Sequence, residues 1–232
     1  MDLDRALLHA LNGSMNRSLA WDSAIDVVNR NALFGGGVTM TVVYGLWFRG
    51  VNATVERRAR LLAALIAGVV SVALGRAIAL GLPMRIRPLQ DPSSGTRVPL
   101  VYSGGEFHGW SSFPSDHAMV FGSIAVGVGY TSPFVGSLLL AHAIIFICIP
   151  RVMLGLHYPS DIVFGSGFGA LVAMLLQRRP FRAWIEAHIL PQQTKRPELF
   201  YACLFLLCYQ LANMFHDARV LTGAIAKLFE HV

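Results

Sequence analysis

Charge is what this sequence has least of. Only 14% of its 232 residues are Asp, Glu, Lys or Arg, where an ordinary globular protein has about 25%. With 54% apolar residues and a mean hydropathy of +0.54, the shortage excludes a disordered chain and a soluble enzyme, because neither could clothe itself in polar groups. Cysteine is scarce as well. Cys148, Cys203 and Cys208 all lie inside apolar stretches without metal-ligand spacing, so a disulfide framework and a metal site are both unexpected. The start, Met1-Asp2-Leu3-Asp4, lacks a basic n-region, so no cleavable signal peptide is expected. Stretches of alternating hydrophobicity are missing, which argues against a transmembrane barrel. No repeat or low-complexity linker divides the chain, so a single membrane domain over 1–232 is expected. The net charge of +6 does not point to nucleic acid, because its basic residues sit between apolar runs rather than in a patch interleaved with aromatics.

What is abundant is long apolar runs. They fall at about 32–48, 61–82, 116–134, 136–150, 160–177 and 199–215. Since hydrocarbon leaves the backbone no water to bond, such runs predict an all-α, polytopic integral membrane helical bundle with about six transmembrane helices. Ahead of them, Leu3, Leu7, Leu8 and Leu11 recur at helical spacing opposite Asp2, Asp4 and Arg5, which predicts an N-terminal interfacial helix. Loop charges orient the bundle. Arg49, Arg57, Arg58 and Arg60 precede the second run, and Arg178, Arg179, Arg182, Lys195 and Arg196 follow the fifth. Alternating helices put both loops on one side, which the excess of basic residues makes cytoplasmic.

Three polar clusters interrupt the apolar pattern, all expected on the opposite, outward face. They are Arg85-Ile86-Arg87-Pro88, Phe113-Pro114-Ser115-Asp116-His117, and Arg151 through Gly155, His157 and Pro159 to Asp161. Charged groups at membrane depth are expensive, and functional by default. Two guanidinium forks match a phosphate group, and a helix beginning near Ser115 would favour an anion through its free N–H groups. His157 and Asp161 are four apart, so the carboxylate can reach and orient the imidazole, which can then act as a nucleophile. His117 is left to protonate a leaving oxygen.

These motifs resemble the type 2 phosphatidic acid phosphatase family, which includes vanadium haloperoxidases. The family pattern is Lys-x6-Arg-Pro, Pro-Ser-Gly-His and Ser-Arg-x5-His-x3-Asp. Arg87-Pro88 matches the end of the first motif. Pro114-Ser115-Asp116-His117 matches the second with Asp116 for glycine, and Arg151, His157 and Asp161 match the third with Pro150 for serine. The motif core covers about 76–170. The resemblance implies a phosphatase without metal or other cofactor, working through a phosphohistidine on His157 oriented by Asp161. It also implies His117 as the acid, with Arg87, Arg151, Ser115 and the Asp116 amide holding phosphate. Where the family lysine should stand, this sequence has Leu80. Arg76, one turn earlier, and Arg85 are the two candidates for the missing charge, with Arg85 favoured for lying in the loop.

The wording Ser-Phe-Pro-Ser-Asp-His and Arg-Val-Met-Leu-Gly-Leu-His-Tyr-Pro-Ser-Asp is similar to bacterial undecaprenyl pyrophosphate phosphatases of that family. It implies a multi-pass protein of the bacterial inner membrane, in cell-wall biogenesis, with its site facing the periplasm or exterior. The partners expected are membrane lipids and a phosphorylated lipid substrate, with the oligomeric state left open. Alternatives are a phosphatidylglycerophosphate or lipid A phosphatase, a phosphotransferase, or, outside enzymes, a lipid transporter or a head-group-binding scaffold. Elsewhere, His142 is expected to be a hydrogen-bonded packing residue, and Glu106, His108 and Trp110 a solvated or interfacial loop. Gly165 and Gly169 are expected to let helices pack closely.

Overall fold

The computed structural model describes residues 3–49, 54–102 and 109–229, with side chains to Thr222. Among the described residues every regular element is helical. Two short helices, α1 (Leu3–Asn12) and α2 (Leu19–Arg30), lead into α3 (Leu33–Phe48) and the long α4 (Val55–Gly81). After a loop of two single turns come α5 (Asp116–Gly129), α6 (Pro133–Met153) and α7 (Pro159–Leu176). Shorter elements follow, α8 (Arg179–Trp184) and α9 (Gln192–Lys195), then α10 (Pro197–Ala212) and α11 (His216–Phe229).

All six apolar runs are helical, but they are unequal. By length and composition α4, α6 and α7 can cross a membrane, and α10 with His216–Thr222 is a fourth candidate, broken by an 89° bend. Six were expected. The run at 116–134 gives only the 14 residues of α5, because the chain turns after Gly129 and Ser132 caps a new helix that opens with Pro133. At about 21 Å, α5 is shorter than the hydrocarbon core. It is the buried axis of the bundle, with Ala118 through Ala125, Gly127 and Val128 all buried.

Small residues bring the neighbours close. A Cβ on Gly169 of α7 would lie 2.1 Å from the Met119 carbonyl of α5, and one on Gly165 2.8 Å from the Ser115 carbonyl, so this pair packs backbone to backbone as expected. Gly75 of α4 is confined instead by the side chains of Asp116 and Met119. Within α6 the helix widens over Ala143–Cys148, just before Pro150. Proline has no N–H to give and crowds the preceding turn, so a wider register absorbs it and sets the phase of Arg151. His142, in the same helix, packs against Phe146 with ring centroids 5.3 Å apart. Its ring nitrogens are buried, and the Phe34 backbone is its hydrogen-bonding neighbour.

The two basic loops share a face. Arg182 pairs with Glu56 at 2.8 Å, Arg58 donates to Gln193 at 3.1 Å, and Gln177 donates to the Arg60 carbonyl at 2.8 Å. The first two helices lie at the other end. Buried Asn12 brackets the 83–102 loop, donating to the Arg97 and Met153 carbonyls and accepting from Arg97 N. Buried Asp22 accepts from Leu100 N at 2.7 Å. On α1, Leu8 is buried while Leu3 and Leu7 are exposed, the split of a helix lying along an interface.

Candidate active site

The three sequence motifs meet at the end of the bundle that carries α1. Gly155, at φ +70°, turns the chain sharply after Arg151. A Cβ there would also press on Thr96, so glycine is required on both counts. The turn is pinned by Leu156 N on the Arg151 carbonyl, and the Gly155 carbonyl accepts from Leu89 N, tying it to the Arg87 loop. The 111–115 segment is held against that loop by Ser112 N on the Arg85 carbonyl at 2.8 Å. It is seated on α7 by Phe113, whose ring meets Phe164 and Phe168 edge-on.

His157 is buried among these loops, and its Nδ1 lies 2.8 Å from the Ser112 carbonyl oxygen. A carbonyl only accepts, so Nδ1 carries the proton, and in the neutral ring the lone pair is on Nε2. Nε2 faces Arg87 Nη1 at 3.5 Å. The Asp161 carboxylate stands 3.7 Å from Nδ1, within ion-pair range, while its oxygens take up Tyr158 N at 2.8 Å and Arg85 Nη1. The imidazole is therefore oriented by a backbone carbonyl and by Asp161 together. Burial pushes the His157 imidazole below the usual histidine value, and the bond to Asp161 opposes that.

Arg87, also buried, donates to the Leu156 carbonyl at 2.7 Å. Burial lowers its proton affinity, and the Asp116 and Asp161 carboxylates partly restore it. Arg151 Nε and Ser115 Oγ are buried with no hydrogen-bond partner among the described residues. Ser115 stands at the N-cap of α5 without using its hydroxyl as a cap. His117, in the first turn of α5, is within electrostatic reach of Arg151, His157 and Arg87.

The two candidates for the missing charge part company here. Leu80 itself is 86% exposed. Arg76 pairs with the Asp116 carboxylate and lies over the Trp110 ring at 4.3 Å. Arg85 is engaged elsewhere: it bonds Asp161, Ser160 at 2.9 Å and Asp4 at 2.9 Å, and covers the Tyr158 ring at 4.1 Å. Trp110, expected to be merely interfacial, thus has a place beside the site, whereas Glu106 and His108 lie outside the described residues. Four contributors were given no role from the sequence: Asp4, Arg219 of the bent tail, within electrostatic reach of Arg76 and Asp116, and, inside the quoted motif wording, Ser160 and the Ser112 carbonyl. Only a return of the chain termini to this rim could have revealed Asp4 and Arg219, and no periodicity encodes that.

The model of the PAP2 superfamily matches residues 58–185, more than half of the chain. The chain belongs to the PAP2 superfamily. Among curated relatives, a lipid A 1-phosphatase of Rhizobium johnstonii (strain DSM 114642 / LMG 32736 / 3841) is 36% identical over 78 residues, 32% of each chain. The match spans about a third of that relative's length. A crystal structure of a transmembrane PAP2-type phosphatidylglycerolphosphate phosphatase from Bacillus subtilis is similar at 21% identity and a TM-score of 0.48. It covers 75% of this chain and 82% of the other. The PAP2 match embraces all three motifs and leaves α1, α2, α3, α9, α10 and α11 outside it.

Proposed function

We propose that this protein is a PAP2 membrane lipid phosphatase, with His157 as nucleophile and Arg87, Arg151, Ser115 and the Asp116 amide as the phosphate cradle. The observation that carries the reading is the shape of the donor set. A lone-pair nitrogen on His157 faces Arg87, and Arg151 Nε and Ser115 Oγ are buried with no partner among the described residues. Buried donors without partners are costly, and an anion of phosphate shape relieves that cost. His157 Nε2 attacks phosphorus as the bond to the lipid oxygen breaks, and His117 gives that oxygen a proton. Water then cleaves the phosphorus–nitrogen bond, losing a proton to His117, and inorganic phosphate leaves. Arg76 is the residue we assign to the missing basic charge, since Arg85 is already committed to three partners around Asp161.

Two substrate classes have support. The motif wording favours a polyprenyl (undecaprenyl) pyrophosphate, a role in cell-wall biogenesis and an outward-facing site in a bacterial inner membrane. The stretch shared with a lipid A 1-phosphatase favours a lipid A head group. The deciding experiment is phosphate release by the purified protein from a panel of these lipids, with His157→Ala as control. Release lost in the variant supports the reading, and the fastest substrate names the class. Binding of head groups with no release from any member would favour a scaffold or transporter instead. Vanadate, which fills a phosphoryl cradle, should inhibit, and transfer of label to an added lipid alcohol would mark a phosphotransferase.

A further inference from the structure

The N-terminal helix does more than lie on the membrane surface. Asp4, in the first turn of α1, reaches the first turn of α7: its Oδ1 accepts from Ser160 N at 2.8 Å and its Oδ2 from Ser160 Oγ at 2.7 Å. The same Oδ2 pairs with Arg85 Nη2 at 2.9 Å. Arg85 in turn donates through Nη1 to Ser160 Oγ and to Asp161 Oδ1. An unbroken chain of charge-assisted bonds therefore runs from α1 to the carboxylate beside His157. Asp161 is fully buried, and Asp4 is only 16% exposed in its side chain.

We propose that Asp4 is a positioning residue for the catalytic histidine, acting through Arg85 and the start of α7 to fix the Asp161 carboxylate. The inference rests on the phosphatase reading above. Asp4 touches neither the phosphate cradle nor the leaving group. It balances the charge of Arg85, so that the guanidinium serves as a bridge to Asp161 rather than neutralising it alone. It also fixes Ser160, the residue next to Asp161. Asn12 and Asp22 fasten the N-terminal module independently, so Asp4 is not needed to hold α1 in place.

The test compares Asp4→Asn and Asp4→Glu with wild type and with Asn12→Ala, which removes a separate anchor at the far end of α1 and leaves Asp4 and its partners in place. Asp4→Asn keeps the shape and loses the charge. It should lower kcat about tenfold, inside the ~10²-fold that small misplacements cost, with KM changed less than about twofold. Its acid limb should move to lower pH, because a negative charge that supports the protonated imidazole has been removed. The groups facing His157 from the other elements, Arg87, Arg151 and His117, are unchanged between these proteins. Asp4→Glu should recover most of kcat and the limb. Asn12→Ala should lower the unfolding temperature and leave the limb where it is.

Wild-type kcat and acid limb in Asp4→Asn, or the same limb shift in Asn12→Ala, would overturn the proposal. The His157 imidazole pKa, read by NMR from nitrogen-15-labelled histidine, gives a second readout that needs no turnover. It should fall in Asp4→Asn, and an unmoved value refutes the relay. Failure of wild type to release phosphate would sink the phosphatase reading alone, and the NMR result would still decide the relay.

Discussion

Nδ1 of His157 has its proton held by the Ser112 carbonyl at 2.8 Å, and the consequence is that the lone pair lies on Nε2. In the mechanism proposed above the His157 ring has to be neutral to attack, so activity should fall as it protonates. Burial lowers the His157 pKa from the ordinary value of 6.5. The acid limb of kcat/KM should accordingly lie below that value, and activity should persist into mildly acid medium. Asp161→Asn removes the contribution that opposes burial and should carry the limb lower still while depressing kcat. A limb above 6.5 in wild type would contradict this assignment. Arg87 and Arg151 should not tolerate lysine, because one point charge does not reproduce a planar fork. Losing one such donor to an anion costs about 10²–10³-fold in kcat where charge develops. Arg151→Lys should therefore fall well below wild type in phosphate release, and the arginine variants should differ in mechanism. Arg76→Ala is expected to raise KM, and Arg85→Ala to lower kcat.

At the scale of helices, the site depends on how near α7 comes to α5, and two glycines separate a structural from a neutral effect. Gly169→Ala would force a Cβ into the Met119 carbonyl of the neighbouring helix, and its backbone neighbour is too stiff to move aside. Overpacking of this kind costs about 1–3 kcal/mol, so the unfolding temperature in detergent should drop and phosphate release with it. Gly167→Ala, one turn-face away with nothing within 4 Å, should change neither. Equal effects of the two would show that the close approach is not what seats the motifs. The elements also mark where sequence ceases to inform. The six apolar runs and the motif residues were legible because hydropathy and motif spacing are local properties. That α5 stops at Gly129 was partly written in Ser132-Pro133, yet a continuous apolar run masked it. The engagement of Arg85 with Asp4 was not legible, since it joins residues 81 positions apart through a helix whose amphipathic pattern says only that it lies at an interface.

For the whole molecule, polarity is set by two groups of charges at opposite ends. The Arg182–Glu56 and Arg58–Gln193 contacts gather the basic loops on one face, and the motifs, α1 and α2 occupy the other. Basic residues in short loops resist translocation, so the basic face should be cytoplasmic and the phosphate cradle outside. The N-terminal segment complicates the sum, because Arg5, Arg17 and Arg30 belong to the cradle face. Arg5 and Arg30 reside in α1 and α2 and Arg17 in the turn between them, and Arg30 is already paired with Asp26 at 2.8 Å, which weakens its weight as a retention signal. The orientation can be read directly by placing single cysteines at exposed Ser93, on the cradle face, and exposed Thr194, on the basic face. The natural exposed thiol, Cys203, is first replaced by serine. In intact cells whose outer barrier has been opened, a membrane-impermeant maleimide should label Ser93→Cys and spare Thr194→Cys. Lysis should expose both. The opposite pattern would turn the cradle toward the cytoplasm and restrict the substrate to lipids presented on the inner leaflet, removing the case for a lipid pyrophosphate released outside.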